Sequence, residues 1–170
     1  VFSENRFMLG VGAGWRGDEY AAYGYEFPKP SVRYAQLEEV VTICRLMWTE
    51  DAPSFDGDYF SITEAAAPPL PEVVPPVCIG ANGEQIGLPL AGRVADMWHN
   101  MSRTHADWLR KYGIVQRAAT AAERDPADIE TGITIERTLP ETDAEAAELL
   151  DLIAGWHDIG VDHVVMDFGN

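Results

Sequence analysis

Apolar positions fall in short, closely spaced groups along this chain, and their spacing alternates between the period of a strand and that of a helix. Residues 7–11 (Phe-Met-Leu-Gly-Val) read as a strand that runs into Gly12, Gly14 and Trp15. From Ser31 to Trp48, the residues Leu37, Val40, Val41, Cys44, Met47 and Trp48 line one side of a helix. Pro28 and Pro30 fence its N-terminal side, where proline is permitted. Phe55 to Phe60 reads as a hairpin turned at Asp56-Gly57 through a type I′ turn. A proline-rich connector from Pro68 to Pro76 then leads into Val77-Cys78-Ile79, a buried strand with the glycine-rich exit Gly80-Ala81-Asn82-Gly83.

Val94-Ala95-Asp96-Met97-Trp98 reads as the next strand, and His105 to Arg124 as a helix that Asp125-Pro126 ends. Residues 129–135 form a further strand, with Ile133 and Ile135 on one face and Thr134 on the other. Thr142-Asp143-Ala144-Glu145 is a capping box for a helix that Gly160 stops, and Val161 to Phe168 closes the chain as a strand. Short strands, apolar on both faces and mostly separated by helices, predict an α/β fold with a covered parallel sheet. An open doubly wound sheet and a (β/α) barrel both fit this order. Residues 7–11, 77–80, 94–98, 130–135 and 163–168 are expected to follow one another around it.

The composition, 46% hydrophobic and 24% charged residues, belongs to one ordinary globular domain, here residues 1–170. The chain opens on Val1 and leads directly into a strand, the pattern of a piece cut from something longer. No apolar run approaches the roughly 18 residues of a membrane span. Lys and Arg total 12 against 28 Asp and Glu, for a net charge of −16, which disfavours nucleic acid and anionic membrane surfaces as partners. Cys44 and Cys78 are expected to be buried, reduced thiols in a cytoplasmic protein.

Candidate chemistry is concentrated at strand exits. Gly12-Ala13-Gly14-Trp15-Arg16-Gly17 matches a dinucleotide fingerprint in form, but no apolar helix follows it, so that reading fails. Gly80-Ala81-Asn82-Gly83 fits either an ordinary βα turn or a cradle of backbone amides for an anion. Among the histidines, His99 follows Trp98 at a strand exit, the functional end of a barrel, and is only a candidate to face a ligand, whereas His157 and His163 cap or edge their elements. No histidine falls in a zinc spacing, so no metal is expected.

Taken in order, these motifs resemble the bacterial-luciferase-like oxidoreductases. The matching residues are Ser3-Glu4-Asn5-Arg6-Phe7, Leu9 to Trp15, Glu19-Tyr20, Arg33, Leu37-Glu38-Glu39, Trp48 and the Phe55/Gly57/Tyr59 hairpin. They continue with Pro75 to Gly80, Ala95 to Trp98 and Asp125-Pro126. The resemblance implies a TIM-type (β/α)8 barrel of which about the fourth to eighth strands are present. It also implies FMN or the deazaflavin F420 at the strands' C-terminal ends, with Gly12, Ala13, Gly14 and Trp15 near the cofactor. Gly80, Ala81, Asn82 and Gly83 would lie near its phosphate, and Trp98 would end a strand facing its rings.

Gly80 to Gln85 is most similar to the F420-type branch. The implied function is therefore F420-dependent hydride transfer to or from a small organic substrate. Alternatives are an FMN monooxygenase that activates oxygen, and a non-catalytic truncated barrel acting as a scaffold or association partner. A homodimer is compatible with either enzyme. The resemblance supplies no catalytic residue here, since several family contacts lie in the barrel's N-terminal part. Pro89 is expected to kink the helix behind the phosphate turn.

Overall fold

A computed structural model describes residue 4 and residues 6–169. Residues 3 and 5, where the family resemblance opens, lie outside the described set. The chain divides into two compact units, Val1–Val77 and Cys78–Asn170.

The first unit contains strand β1 (Leu9–Val11), helix α1 (Gly17–Ala22), helix α2 (Pro30–Thr49) and a hairpin of β2 (Phe55–Asp56) and β3 (Ser61–Ile62). The Leu9 N–H donates to the Pro76 carbonyl at 2.9 Å. Pro30 stands at the first position of α2, where no intrahelical bond is lost, and Leu37 and Val41 are its buried residues.

The hairpin departs from the sequence expectation. Phe55 pairs with Ile62 and Asp56 with Ser61, so residues 57–60 form a four-residue connection instead of a two-residue Asp-Gly turn. Its order comes from α2. The Glu39 carboxylate accepts the backbone N–H groups of Asp58 (2.8 Å), Tyr59 (3.0 Å) and Phe60 (2.8 Å). A Cβ on Gly57 would stand 2.6 Å from that carboxylate and from the Phe55 ring. Close approach therefore requires this glycine. Glu39→Ala leaves three turn amides without their acceptor and is expected to destabilise the unit by about 2 kcal/mol, read by thermal unfolding. The largest gain in hydrogen exchange should appear at Asp58–Phe60.

The second unit is built on parallel strands β4 (Val77–Gly80), β5 (Met97–Asn100), β6 (Glu130–Glu136) and β7 (His163–Asp167), each hydrogen-bonded to the next. Helices α3 (Gly87–Val94), α4 (His105–Ala121) and α5 (Asp143–Asp158) connect them. Alternation along the strands gives the sheet two unlike faces. Trp98, Asn100, Thr131, Ile133 and Ile135 are buried on the helix side. His99, Gly132, Thr134 and Val165 share the other face, in the register His99–Gly132 and Thr134–Val165. The capping box at Thr142 and Glu145 forms as expected. Gly160 follows α5 at φ +100°, a conformation that favours glycine.

Two expectations need correction. The third of the expected strands begins three residues later than the apolar run, because Val94 still belongs to α3 and the Ala95 N–H donates to Ala91 at 2.9 Å. The strand continues past Trp98 to Asn100, so Trp98 does not end it. Pro89 introduces no kink, because α3 starts at Gly87 and places Pro89 in the first turn, where backbone N–H groups have no intrahelical acceptor. Cys44 and Cys78 are free thiols, as expected, although half-buried, and burial raises both pKa values. No helix among the described residues is long and apolar enough to cross a membrane.

Candidate functional site

In the first unit, the turn after β1 is held by Arg33 of α2. Its Nε donates to the Ala13 carbonyl at 3.0 Å and its guanidinium also reaches the carbonyls of Gly14 and Pro28. The guanidinium lies 3.9 Å from the centre of the Phe27 ring. With the carbonyls turned toward a cation, the turn has a fixed shape. Gly14 stands at φ +71° with the Tyr20 ring against the place of a Cβ, so no larger residue fits. Gly12 is exposed, Ala13 half-buried, and Trp15 presents 83% of its surface.

In the second unit, the exits of β4 and β5 meet around Asn82. The Ala81 N–H is already committed to the His99 carbonyl at 3.0 Å, and the Ala81 carbonyl accepts Trp98 Nε1 at 2.9 Å. Ala81 is accordingly buried and unable to donate to a ligand. Gly80, Asn82 and Gly83 are exposed. Among the described residues, no protein acceptor takes the backbone N–H of Asn82 or Gly83. The Gly83 carbonyl accepts from Leu88 at 2.9 Å, which turns the peptide toward the start of α3. The open amides of the turn are therefore those of Asn82 and Gly83, two of the four residues of the expected Gly80–Gly83 cradle.

Trp98 is fully buried. Its ring stacks on Trp108 at 5.9 Å and Tyr112 at 6.2 Å between centroids, inside the layer formed with α4. The side chain thus faces the helices instead of a ligand, and supports the Ala81 turn from behind. The residue that reaches the opposite sheet face at this exit is His99, whose Nε2 lies 2.8 Å from Thr134 Oγ1. Burial lowers its pKa, which keeps the imidazole neutral near pH 7. A Cβ on Gly132 would lie 2.7 Å from His99 Nδ1, so the glycine leaves the space the ring occupies. His157 and His163 sit at element edges, on the Val161 carbonyl at 3.1 Å and on Glu130 at 2.8 Å.

A polar network joins the turn to α4. Lys111 Nζ pairs with Asp107 at 2.8 Å and reaches Asn82 Oδ1 at 3.3 Å and Ser102 Oγ at 3.4 Å. Arg110 bridges Asp107 at 2.6 Å and also pairs with Glu84. Sequence reading overlooked this network; the Asp107–Lys111 spacing was its one visible sign. The Lys111 ammonium, with Arg110, holds the Asp107 carboxyl down to a pKa of about 2. A depressed folded-state pKa gives stability that is present above the unfolded value and lost as pH falls. The tie between the turn and α4 is therefore expected to persist at pH 5 and to weaken from about pH 4 down to 2, whereas Asp107→Asn removes that acid step. Hydrogen exchange of the Met101 and Leu88 amides, which donate to Asn82 Oδ1 and to the Gly83 carbonyl, checks both across this pH range. Beside the network, a recess of about 600 Å³ is lined by Ser102, Arg103, Thr134, Arg137 and Trp156 among others.

A parallel sheet with its candidate donors at the strand exits is the arrangement in which α/β barrels bind ligands. The sequence profile of the family described as luciferase-like monooxygenase matches residues 1–167. The chain belongs to that family. It is 32% identical over 152 residues to the F420-dependent glucose-6-phosphate dehydrogenase of Amycolatopsis mediterranei, covering 87% of this chain and 45% of that protein. It is 37% identical over 147 residues to F420-dependent glucose-6-phosphate dehydrogenase 2 of Rhodococcus jostii, covering 84% of this chain and 42% of the relative. The chain thus spans less than half the length of these curated relatives. Among solved structures, an F420-dependent secondary alcohol dehydrogenase in complex with an F420-acetone adduct superposes with a TM-score of 0.82 at 21% identity, over 95% of this chain and 63% of that one. That likeness shows the fold: a partial TIM-type barrel, as the family resemblance implied.

Proposed function

We propose that this chain is the C-terminal part of an F420-dependent oxidoreductase that transfers a hydride to or from a small organic substrate. The observation that carries the reading is the Asn82-Gly83 turn. It offers unclaimed backbone donors at a strand exit, in a chain of net charge −16. An acidic protein repels anions at large, so a local cluster of donors is what an anionic cofactor requires. The donor set fits a phosphate group. The dehydrogenases at 32% and 37% identity, which carry F420 in their names, favour the deazaflavin over FMN.

Bound F420 supplies hydride chemistry through its deazaflavin ring. The protein supplies position. Asn82 and Gly83 hold the phosphate end. Neutral His99, hydrogen-bonded to Thr134, holds a proton at one ring nitrogen on the sheet face opposite the helices.

Titration of the chain with F420 and with FMN, followed by fluorescence, tests the assignment. F420 is expected to bind more tightly than FMN. Gly83→Val is expected to weaken F420 by at least about tenfold through crowding of the cradle, while the unfolding temperature moves little. Equal, poor binding of both cofactors with Gly83 intact would remove the assignment.

A further inference from the structure

The side chain of Asn82 has one chemically consistent orientation. Its Oδ1 faces two groups that can only donate, the Met101 backbone N–H at 3.4 Å and the Lys111 ammonium at 3.3 Å. An amide NH2 in that place would set donor against donor, so the oxygen points inward and Nδ2 outward. Among the described residues no protein group accepts from Nδ2. The residue is exposed at the strand exit, beside the unclaimed N–H groups of its own backbone and of Gly83.

Lys111 is itself immobilised. Its side chain is 12% exposed, and Asp107, Ser102 and Asn82 together offer one acceptor for each of its three N–H bonds. Ser102 is buried, and its N–H donates to Asn100 Oδ1 at 2.8 Å at the end of β5. The lysine charge is compensated by Asp107, with Arg110 and Glu84 forming a second pair alongside. The ammonium is thus occupied with holding an amide and is not directed at a ligand.

We propose that Lys111 is a positioning residue that locks Asn82 as a neutral side-chain donor to the phosphate-class anion of the cofactor. This rests on the assignment of the Asn82-Gly83 turn as the cofactor's cradle, and adds to it a side chain and the device that orients it. Two consequences follow from the neutrality of the contact. Removing the Asn82 amide without adding a charge should weaken anion binding while Lys111 keeps Asp107 and Ser102 as acceptors. Removing Lys111 frees the amide to turn its NH2 toward Asp107, so the same donor is lost by a different route.

The test is a fluorescence titration of the chain with F420, for wild type, Asn82→Ala, Lys111→Met, Lys111→Arg and the double variant Asn82→Ala/Lys111→Met, with thermal unfolding of each. Asn82→Ala, which removes the donor without adding a charge, is expected to bind at least about tenfold more weakly at a nearly unchanged unfolding temperature. Lys111→Met should lose a similar factor, Lys111→Arg should restore most of it, and the double variant should be no worse than Asn82→Ala alone. Should Lys111→Met fail to fold, Asn82→Ala and Lys111→Arg carry the comparison. Wild-type affinity in Asn82→Ala, or losses that simply multiply in the double variant, would overturn the lock and leave the cradle standing. A wild-type chain that binds no F420 would overturn both.

Discussion

Trp98→Ala is expected to destabilise the second unit by about 4 kcal/mol, the range for removing a fully buried tryptophan. The ring is completely enclosed between β5 and α4, stacked on Trp108 and Tyr112, and its Nε1 donates to the Ala81 carbonyl. Alanine forfeits the ring contacts and leaves that carbonyl, behind the cradle, without its donor. Urea unfolding measures the loss. Trp98→Phe separates packing from ligand contact: most of the stability should return, and F420 affinity should return with it to within a few-fold. A phenylalanine variant as stable as wild type but unable to bind F420 would instead put the ring in contact with the cofactor.

Gly92→Val should be nearly as damaging, at about 3 kcal/mol, for a different reason. Helices α3 and α4 cross at this glycine. A Cβ there would press on the Val115 carbonyl and stand 2.7 Å from Ala118 Cβ and 3.0 Å from the Ala119 backbone nitrogen. These neighbours are backbone and a side-chain root, which cannot rotate aside. The Gly92 carbonyl also accepts from Arg124 at 3.0 Å, and Arg124 reaches Ala95 at 2.7 Å, so a shifted α3 loses both bonds. Thermal unfolding of Gly92→Val and Gly92→Ala checks this, with the smaller residue expected in between. A valine variant as stable as wild type would show that the helices can part without cost.

Much of the fold was legible because local signals agreed with the tertiary outcome. Pro30 at the first position of α2, the Thr142–Glu145 capping box and Gly160 at positive φ are all written in adjacent residues. The start of β5 was misread because Val94-Ala95 is apolar in both helix and strand, and a short apolar run does not distinguish the two. The hairpin was misread because its connection is organised by Glu39, about twenty positions away, instead of by Asp56-Gly57.

The site follows the same division. Gly80 to Gly83 could be placed at a strand exit from sequence, but the loss of the Ala81 N–H to His99 depends on strand register. Trp98 looked like a ligand-facing residue only while the strand was thought to end there. The hold of Lys111 on Asn82 spans 29 positions and two elements, so no local pattern announces it.

The central claim is that the Asn82-Gly83 turn receives the phosphate-class anion of F420. Amide NMR of the isotopically labelled chain during F420 addition tests it most directly. The prediction is a saturable downfield shift at the backbone amides of Asn82 and Gly83 and at the Asn82 side-chain NH2, with Ala81 scarcely moving because its N–H is already bonded to His99. Saturable binding that leaves Asn82 and Gly83 unshifted would contradict the account.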